Sequence, residues 1–342
     1  MPINALYGLL AHLEESPDEW EKTRFWLGTP EYFLFRMTGV AVAEYTNAPN
    51  SQLVDAASKS WSREICDAFG LSLDRFPPIV PPGTILGNLR AGIASEVGLS
   101  NVKVIAPACH DTGSAVAAIP YPHDDLAFIS SGTWSLVGTV LREPLISEPG
   151  YTFNLTNEGG VGDTIRFLRN VIGLWLLQEA LREWKEQGRQ VSPAELAAEC
   201  MDTAMEGPWF DISEDNTFLA PGNMVGRINA QLRAQGFAEE NRPVALSAII
   251  FRSLARRYAE VINAIRTCTG KPIRRLCIVG GGVKNEALNR LAGMATGLEI
   301  IKGPSEATLV GNVAVQISAL ENSRSLEEIQ AITSRLTFLE GI

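Results

Sequence analysis

The region from Arg274 to Ala319 constrains the fold most strongly, because strand-like and helix-like runs alternate there. The string RRLCIVGGG predicts a short buried strand, and NEALNRLAGMATG, from Asn285, predicts a helix. The string EIIKGP predicts a second strand, and a second helix is predicted from about Thr308. Strands that alternate with helices are typical of α/β domains with a parallel sheet. The sequence therefore predicts an α/β fold.

Residues 244–268 show the pattern of a long amphipathic helix. Its apolar residues recur at steps of three and four, which places them on one helix face. These residues are Ile250, Leu254, Tyr258, Val261 and Ile265. Gly270 is a suitable C-cap for this helix. Residues 208–224, which precede it, are predicted to form a loop.

The middle of the chain predicts a hairpin and another long helix. The runs LAFISS and WSLVGTVL flank the turn Gly132-Thr133, and their β-branched residues are typical of paired strands. The string TIRFLRNVIGLWLLQEALREWKEQG, from Thr164, predicts one amphipathic helix that ends at Gly188.

Residues 1–119 look like an incomplete domain, because they hold only one clear strand, VKVIAPA from Val102. Residues 77–89 are rich in proline and predict a loop with little regular structure. The helices predicted in this part span residues 4–15, 17–37, 61–70 and 91–98. One strand cannot close a sheet, since its edges would stay unpaired. We therefore expect two domains, with the second over residues 120–342.

Composition narrows the possible partners. The chain is acidic, with a net charge of −10, which argues against nucleic acid as a partner. Its five cysteines show no metal-binding spacing and predict reduced thiols in the cytoplasm. The sequence shows no signal peptide and no run of the ~20 apolar residues that a membrane span requires. We expect a soluble, cytoplasmic protein without a membrane partner.

The first chemical motif is the string ACHDTG, in which Asp111 follows a buried strand and precedes a small-residue helix. Open α/β sheets bind ligands at such strand ends. A carboxylate there can orient a sugar hydroxyl and accept its proton during phosphoryl transfer. Asp111 is equally consistent with a helix N-cap beside His110, on the surface.

Two glycine-containing turns are candidate phosphate or nucleotide sites. The hairpin turn at Gly132-Thr133 offers backbone N–H groups and hydroxyls to an anion, or is a plain turn. Gly280, Gly281 and Gly282 lie between a strand and a helix, where bare backbone allows a nucleotide to approach. The spacing matches neither the dinucleotide fingerprint nor a P-loop, so an ordinary glycine-rich turn is the alternative.

Asn170 and Gln178 are the last candidates, because both are amides in the apolar helix predicted from Thr164. At a spacing of eight residues they share one helix face and lie ~12 Å apart along its axis. One amide would then contact a sugar and the other a nucleotide. Ordinary solvated or core amides are the alternative.

Together these motifs resemble the FGGY family of carbohydrate kinases, and their order matches from about residue 3 to residue 320. The strings that carry the resemblance are EYTNAPNSQL, HDTGSAV, FISSGTWSLVG, NEGGVGDTIRFLRNVIGLWLLQE, FLAPGNM and IVGGGVKNEALNRL. The resemblance implies the actin-like or hexokinase-like fold, with two ribonuclease-H-like domains around a nucleotide cleft. It also implies ATP and Mg2+ as cofactors.

The resemblance implies a role for each candidate residue. Asp111 matches the family's catalytic base. The positions implied to contact the sugar are His110, Asp111, Thr112 and Asn170. The positions implied to contact ATP are Thr133, Gln178, Gly280, Gly281 and Gly282. No protein residue is implied as a metal ligand.

The block NEGG…GLWLLQE is most similar to family members that phosphorylate L-rhamnulose to L-rhamnulose 1-phosphate. A kinase for another ketose, such as fuculose or xylulose, is the alternative. The glycine-rich phosphate hairpin of the family, D-x-G-x-S-S, does not occur in this sequence. We therefore expect residues 1–119 to be the remainder of the N-terminal kinase domain, and residues 120–342 to be the C-terminal kinase domain.

The missing hairpin has consequences for activity and stability. Each lost phosphate donor costs roughly 10²- to 10³-fold in rate. We expect the chain alone to aggregate or to depend on the missing N-terminal segment. A fragment that binds nucleotide or sugar without turnover is therefore a further alternative.

Overall fold

The computed structural model describes residues 4–212 and 216–339. Residues 213–215, which fall within the loop predicted over 208–224, lie outside the described residues. Within the described ranges, no helix is long and apolar enough to cross a membrane.

The first part of the chain is built from short helices and short paired strands. The helices are α1 (Ala5–Glu15), α2 (Pro17–Lys22), α3 (Thr29–Thr38), α4 (Arg63–Ala68), α5 (Ala91–Glu96) and α6 (Asp111–Ala117). The strands are β1 (Ala43–Glu44), β2 (Val54–Asp55), β3 (Ser60–Trp61), β4 (Ile79–Val80), β5 (Thr84–Asn88) and β6 (Lys103–Ala106). They pair as β1 with β4, β2 with β3, and β5 with β6.

Three predictions for this part are wrong. It was predicted to hold only one clear strand, but it contains six, β1 to β6. The segment over residues 77–89, predicted to be a loop, contains the strands β4 and β5. These strands form because they pair with β1 and β6, although the prolines and glycines of the segment are typical of loops. The helix predicted over residues 17–37 is two helices, α2 and α3. Pro30 lies in the first turn of α3, where proline starts a helix and cannot continue an earlier one.

The second part contains the main sheet and the longest helices. Its strands are β7 (Leu126–Ser131), β8 (Trp134–Leu141), β9 (Thr156–Gly159), β10 (Ile165–Ile172), β11 (Arg275–Val279) and β12 (Glu299–Lys302). The helices are α7 (Glu148–Thr152), α8 (Trp175–Glu186), α9 (Pro193–Glu199), α10 (Met224–Ala234), α11 (Pro243–Thr269), α12 (Glu286–Thr296), α13 (Ala307–Leu320) and α14 (Leu326–Leu339).

Six of these strands form one mixed sheet in the order β12-β11-β7-β8-β10-β9. Strand β11 is parallel to β12 and β7, while β7, β8, β10 and β9 pair antiparallel. The α/β run from Arg274 and the hairpin at Gly132-Thr133 are therefore confirmed. The long helix predicted from residue 244 is confirmed as α11, which ends at Gly270 in the left-handed region, φ 65°.

Apolar side chains cover both faces of the sheet, since successive strand residues point to opposite sides. Ala127 and Ile129 pack with α8, α11 and α12 in the largest core cluster. Leu126 and Phe128 pack on the other face with residues of α6 and α13. The sheet is thus a middle layer between helices, and α6, which begins at Asp111, is held firmly against it.

The single helix predicted from Thr164 to Gly188 is wrong at its start. Residues Ile165–Ile172 form strand β10, which pairs with β8 on one side and β9 on the other. Helix α8 begins only at Trp175. Two ladders of hydrogen bonds, which no local pattern reveals, outweigh the helical periodicity here. Asn170 is therefore on a strand, and its predicted helical spacing to Gln178 is also wrong.

Candidate active site

Asp111 is the first residue of α6, and four residues, Pro107, Ala108, Cys109 and His110, separate it from the end of the buried strand β6. Its Oδ1 accepts hydrogen bonds from the backbone N–H of Thr112, at 2.6 Å, and from the Thr112 hydroxyl, at 3.3 Å. His110 Nε2 lies 3.3 Å from the same oxygen. The side chain of Asp111 is 77% exposed. Contacts from the described residues thus converge on Oδ1 and leave Oδ2 to a ligand.

A buried ion pair lies behind His110. Arg166 Nη2 is 3.0 Å from His110 Nδ1, and Arg166 Nη1 is 3.0 Å from Glu158 Oε2. Arg166 Nε also donates to the carbonyl oxygen of Gly159, at 2.7 Å. The residues His110, Arg166 and Glu158 therefore connect Asp111 to the interior of the sheet.

A second buried carboxyl group, Glu44, anchors the segment that precedes Asp111. It accepts hydrogen bonds from the backbone N–H groups of Thr46, at 2.9 Å, and Cys109, at 2.7 Å. Thr46 Oγ1 in turn accepts from the His110 backbone N–H, at 3.1 Å. Burial raises the pKa of Glu44 to about 7 despite these bonds. Burial, with the neighbouring Glu44, also raises the pKa of the Cys109 thiol, so Cys109 is not a poised nucleophile.

The larger of two cavities beside this network has a volume of about 840 Å3 and is lined by His110 and Asn170. Its other polar walls include Asn50, Gln52, Asn157 and Glu158. No lysine or arginine is among the described residues that line it. Amides and a histidine without an unpaired cation suit a neutral ligand that is rich in hydroxyl groups.

The smaller cavity, of about 360 Å3, is lined by Asp111 itself. Its walls are Asp111 and Thr112, the hairpin turn over residues 130–134, Gly280, Gly281, and residues 305–308. The first residues of α6 and α13 therefore line it, and the positive end of a helix dipole attracts anions. The cavity can bind phosphate groups.

The three glycines allow the turn after β11 to pack on the hairpin. Gly280 has a φ of +84°, and a Cβ there would come within 3.0 Å of the Ser131 carbonyl oxygen. A Cβ on Gly282 would overlap the Ser131 hydroxyl, whereas one on Gly281 would meet nothing within 4 Å. Gly281 therefore presents bare backbone to the cavity, and Gly282 is buried beneath it.

Gln178 lines neither of these two cavities but reaches the hairpin. Its Oε1 accepts a hydrogen bond from Thr133 Oγ1, at 3.2 Å. The backbone N–H groups of Gly173 and Trp175 donate to the Thr133 carbonyl oxygen, both at 3.1 Å. The junction between β10 and α8 thus holds the turn that carries Thr133.

The structure therefore divides the predicted site residues into two groups around Asp111. Asp111, Thr112, Thr133, Gly280 and Gly281 line the smaller cavity. His110 and Asn170 line the larger one.

Sequence reasoning missed Glu44, Glu158 and Arg166 as members of this site. For Glu44 and Arg166, the signal was a charged residue among apolar neighbours, whereas Glu158 lies in the polar strand TNEG and gave no such signal.

The donor set bears on a metal ion. Among the described residues, no three His, Cys, Asp or Glu side chains come together as a metal site. Mg2+ in kinases is held by one or two carboxylates, with phosphate oxygens and water as the other ligands. The smaller cavity offers the carboxyl groups of Asp111 and Glu306, so its walls fit an ion that arrives with a polyphosphate.

Comparison with known proteins identifies the family. The C-terminal domain of the FGGY family of carbohydrate kinases matches residues 127–320, and the N-terminal domain of that family matches residues 1–118. The chain belongs to the FGGY family of carbohydrate kinases. The predicted fold, an α/β two-domain sugar kinase, is confirmed.

Curated FGGY relatives include the rhamnulokinase of Oceanobacillus iheyensis, 36% identical over 96% of this chain and 69% of the relative. The rhamnulokinase of Bacillus subtilis is 34% identical over 97% of this chain and 67% of its own. The rhamnulokinase of Enterococcus faecalis is 37% identical over 93% of this chain and 63% of the relative. The chain spans about two thirds of the length of the curated relatives it matches.

Solved structures show the same FGGY fold. The xylulose kinase of Lactobacillus acidophilus superposes with a TM-score of 0.75 at 17% identity, over 97% of this chain and 66% of the other. The structure of Plasmodium falciparum glycerol kinase with ADP has a TM-score of 0.74 at 14% identity, over 96% of this chain and 65% of the other. At these identities the likeness establishes the fold.

Proposed function

We propose that this chain supplies the catalytic part of an ATP-dependent kinase that converts L-rhamnulose to L-rhamnulose 1-phosphate in L-rhamnose catabolism. The observation that carries the proposal is the position of Asp111 between the two cavities. It lines the smaller, phosphate-suited cavity and contacts His110, which lines the larger one. Similarity to several rhamnulokinases over nearly the whole chain supports the choice of sugar.

In the proposed reaction, Asp111 is the general base. Its Oδ2 accepts the proton of the sugar's primary hydroxyl group as that oxygen bonds to the γ-phosphorus of ATP. The bond between the γ-phosphorus and the β,γ-bridging oxygen breaks, and its electron pair leaves with ADP. His110 and Asn170 hold the sugar in the larger cavity, and Thr112, which lines the smaller one, contacts the end of the sugar that carries the reacting hydroxyl group.

The remaining residues of the proposal bind the nucleotide. The turn at Thr133, supported by Gln178, meets the phosphates, and the backbone at Gly280, Gly281 and Gly282 receives the adenosine. When bound, Mg2+ would neutralise phosphate charge beside the carboxyl groups of Asp111 and Glu306.

The proposal extends to organisation and location. Residues 1–119 belong to the N-terminal kinase domain, and residues 120–342 form the C-terminal domain with the adenosine motif. The protein acts in the cytoplasm, in keeping with five cysteines that are all free thiols. Its partners are the sugar and ATP, with neither nucleic acid nor membrane.

The test is a coupled assay of ADP release with ATP, Mg2+ and L-rhamnulose, alongside L-fuculose and D-xylulose. We expect turnover that depends on L-rhamnulose and falls by at least 10²-fold in Asp111→Asn, which removes the base. The exposed Asp124, changed to Asn, is the matched control and keeps wild-type activity.

Two outcomes would contradict the proposal. Faster turnover of another ketose would reassign the substrate. Folded protein that binds ATP but releases no ADP with any of the sugars would favour a fragment that binds without turnover.

A further inference from the structure

Arg166 and Glu158 are directly opposite each other on the paired strands β10 and β9. Arg166 is 1% exposed and Glu158 is 6% exposed. A buried ion pair is expensive to desolvate and contributes little net stability compared with apolar residues of the same size. Glu158 also lines the proposed sugar cavity, so the pair calls for a role other than stability.

The contact with His110 supplies that role. Arginine is always a donor and carries no acceptor, so the Arg166 guanidinium donates to His110 Nδ1 at 3.0 Å. His110 Nδ1 must then be unprotonated, and the ring proton resides on Nε2. His110 Nε2 is the nitrogen that lies 3.3 Å from Asp111 Oδ1.

The competing arrangement is less favourable. A proton on His110 Nδ1 would have to be donated to Glu158 Oε2 at 3.5 Å, beyond ordinary hydrogen-bond length. It would also place two N–H groups face to face across the 3.0 Å between His110 and Arg166. The shorter distance therefore decides the tautomer.

We propose that Glu158 and Arg166 are a positioning pair that fixes His110 as the neutral Nε2–H tautomer, so that His110 holds Asp111 Oδ1 and leaves Oδ2 for the sugar hydroxyl. Arg166 is oriented from a third side by the Thr46 carbonyl oxygen, which accepts from Nη2 at 3.1 Å. Glu158 balances the buried charge. The catalytic consequence rests on the proposed kinase function, whereas the tautomer does not.

Two electrostatic effects compete at Glu158. Its burial opposes ionisation, but the charge of Arg166 favours it, and the pKa of the Glu158 carboxyl group is lowered. Glu158 is thus ionised at neutral pH and remains a partner for Arg166.

The first test determines the tautomer of the His110 ring and does not depend on catalytic activity. The chain has three histidines, so ¹⁵N-imidazole NMR of the histidine-labelled protein gives three ring patterns, and His110→Gln identifies one of them. We expect the His110 ring to be the Nε2–H tautomer at pH 7.5. An Nδ1–H tautomer or an imidazolium at that pH would overturn the proposal even if the protein proves to be an active kinase.

The second test removes the pair while leaving no unpaired buried charge. In the double variant Glu158→Gln with Arg166→Gln, we expect the ring to populate both tautomers and kcat to fall roughly 10²-fold, with KM for ATP unchanged. The exposed pair Arg142 and Glu327, changed to Gln in the same way, is the matched control.

A role in structure alone would lower stability without moving the tautomer. A folded double variant that keeps the pure Nε2–H ring would therefore sink the proposal. If the double variant does not fold, the wild-type NMR pattern decides.

Discussion

Glu44 is fully buried, and its carboxyl group holds the backbone on both sides of the site. Its pKa is raised from an ordinary 4.5 to about 7, chiefly by burial. Between these two pH values the folded protein binds more protons at Glu44 than the unfolded chain does. Stability from this group is therefore complete below pH 4.5 and is lost as pH rises through 7.

We predict that, as the pH rises from 4.5 to 7, the free energy of unfolding of the wild type falls by about 3 kcal/mol relative to that of Glu44→Gln. Gln cannot titrate, so the difference isolates Glu44. It also cancels the opposite trend from His123, whose pKa burial lowers to about 4. Urea unfolding from pH 4.5 to 8 measures it. Glu64→Gln, on the exposed face of α4, should match the wild-type slope, and a flat difference curve for Glu44→Gln would refute the prediction.

Gly281 and Gly282 are neighbours with opposite surroundings, which makes them a matched pair. We predict that Gly281→Ala folds with wild-type stability but raises KM for ATP, because its methyl group enters the open smaller cavity. Gly282→Ala should instead cost about 1–3 kcal/mol, since its methyl group overlaps the Ser131 side chain. Thermal unfolding and ATP titration separate the two effects. Equal loss of stability in both variants would contradict this assignment.

At the scale of elements, the junction of β10 and α8 has the greatest influence on the site. The chain changes there from strand to helix at Gly173, and three backbone hydrogen bonds tie residues 173–175 to the turn at Gly132 and Thr133. A Cβ on Gly173 would come within 2.8 Å of the Gly132 carbonyl oxygen and of the Ser135 backbone nitrogen. Backbone atoms cannot move aside as a side-chain tip can.

We predict that Gly173→Ala destabilises the protein by about 2 kcal/mol and weakens ATP binding together with stability, because the turn at Thr133 must shift. Gly92→Ala is the control, since a Cβ on that helical residue meets nothing within 4 Å. Its stability should equal or exceed that of the wild type, because alanine is the better helix former. Unfolding midpoints and ATP affinity measured on both variants check the prediction. Unchanged ATP affinity in Gly173→Ala would show that the junction does not support the turn.

Local sequence patterns predict some of these elements and miss others. Helices α11, α12 and α13 were predictable because their apolar residues repeat with the helical period over two turns or more. Strands β4 and β5 were not, because each is stabilised by a partner that is distant in sequence rather than by its own composition.

At the scale of the whole molecule, the two cavities beside His110 and Asp111 are lined by residues that are far apart in the chain. The larger one takes residues from the first helix through to β10, and the smaller one combines α6, the β7–β8 turn and the start of α13. A ligand in either cavity therefore binds the folded state and not the unfolded chain, and so must stabilise the fold.

We predict that ATP with Mg2+ raises the Tm of the wild type, with about 2.7 kcal/mol of stabilisation at a hundredfold excess over Kd. The rise in Tm should be smaller in Gly281→Ala, because the added methyl group occupies space in the smaller cavity that the nucleotide would fill. Differential scanning calorimetry with and without ligand measures both. No shift for the wild type at saturating ATP would contradict nucleotide binding in the smaller cavity.

The sequence by itself determined the α/β class, the hairpin, the long helices and the place of Asp111 at a strand end. Each of these depends on a period or a turn residue that acts over a few neighbours. Only the tertiary structure decided that Asn170 is on a strand, that Glu44 is buried, and that Arg166 meets both Glu158 and His110. These features depend on cross-strand partners and on the exclusion of water by distant residues, which no local pattern contains.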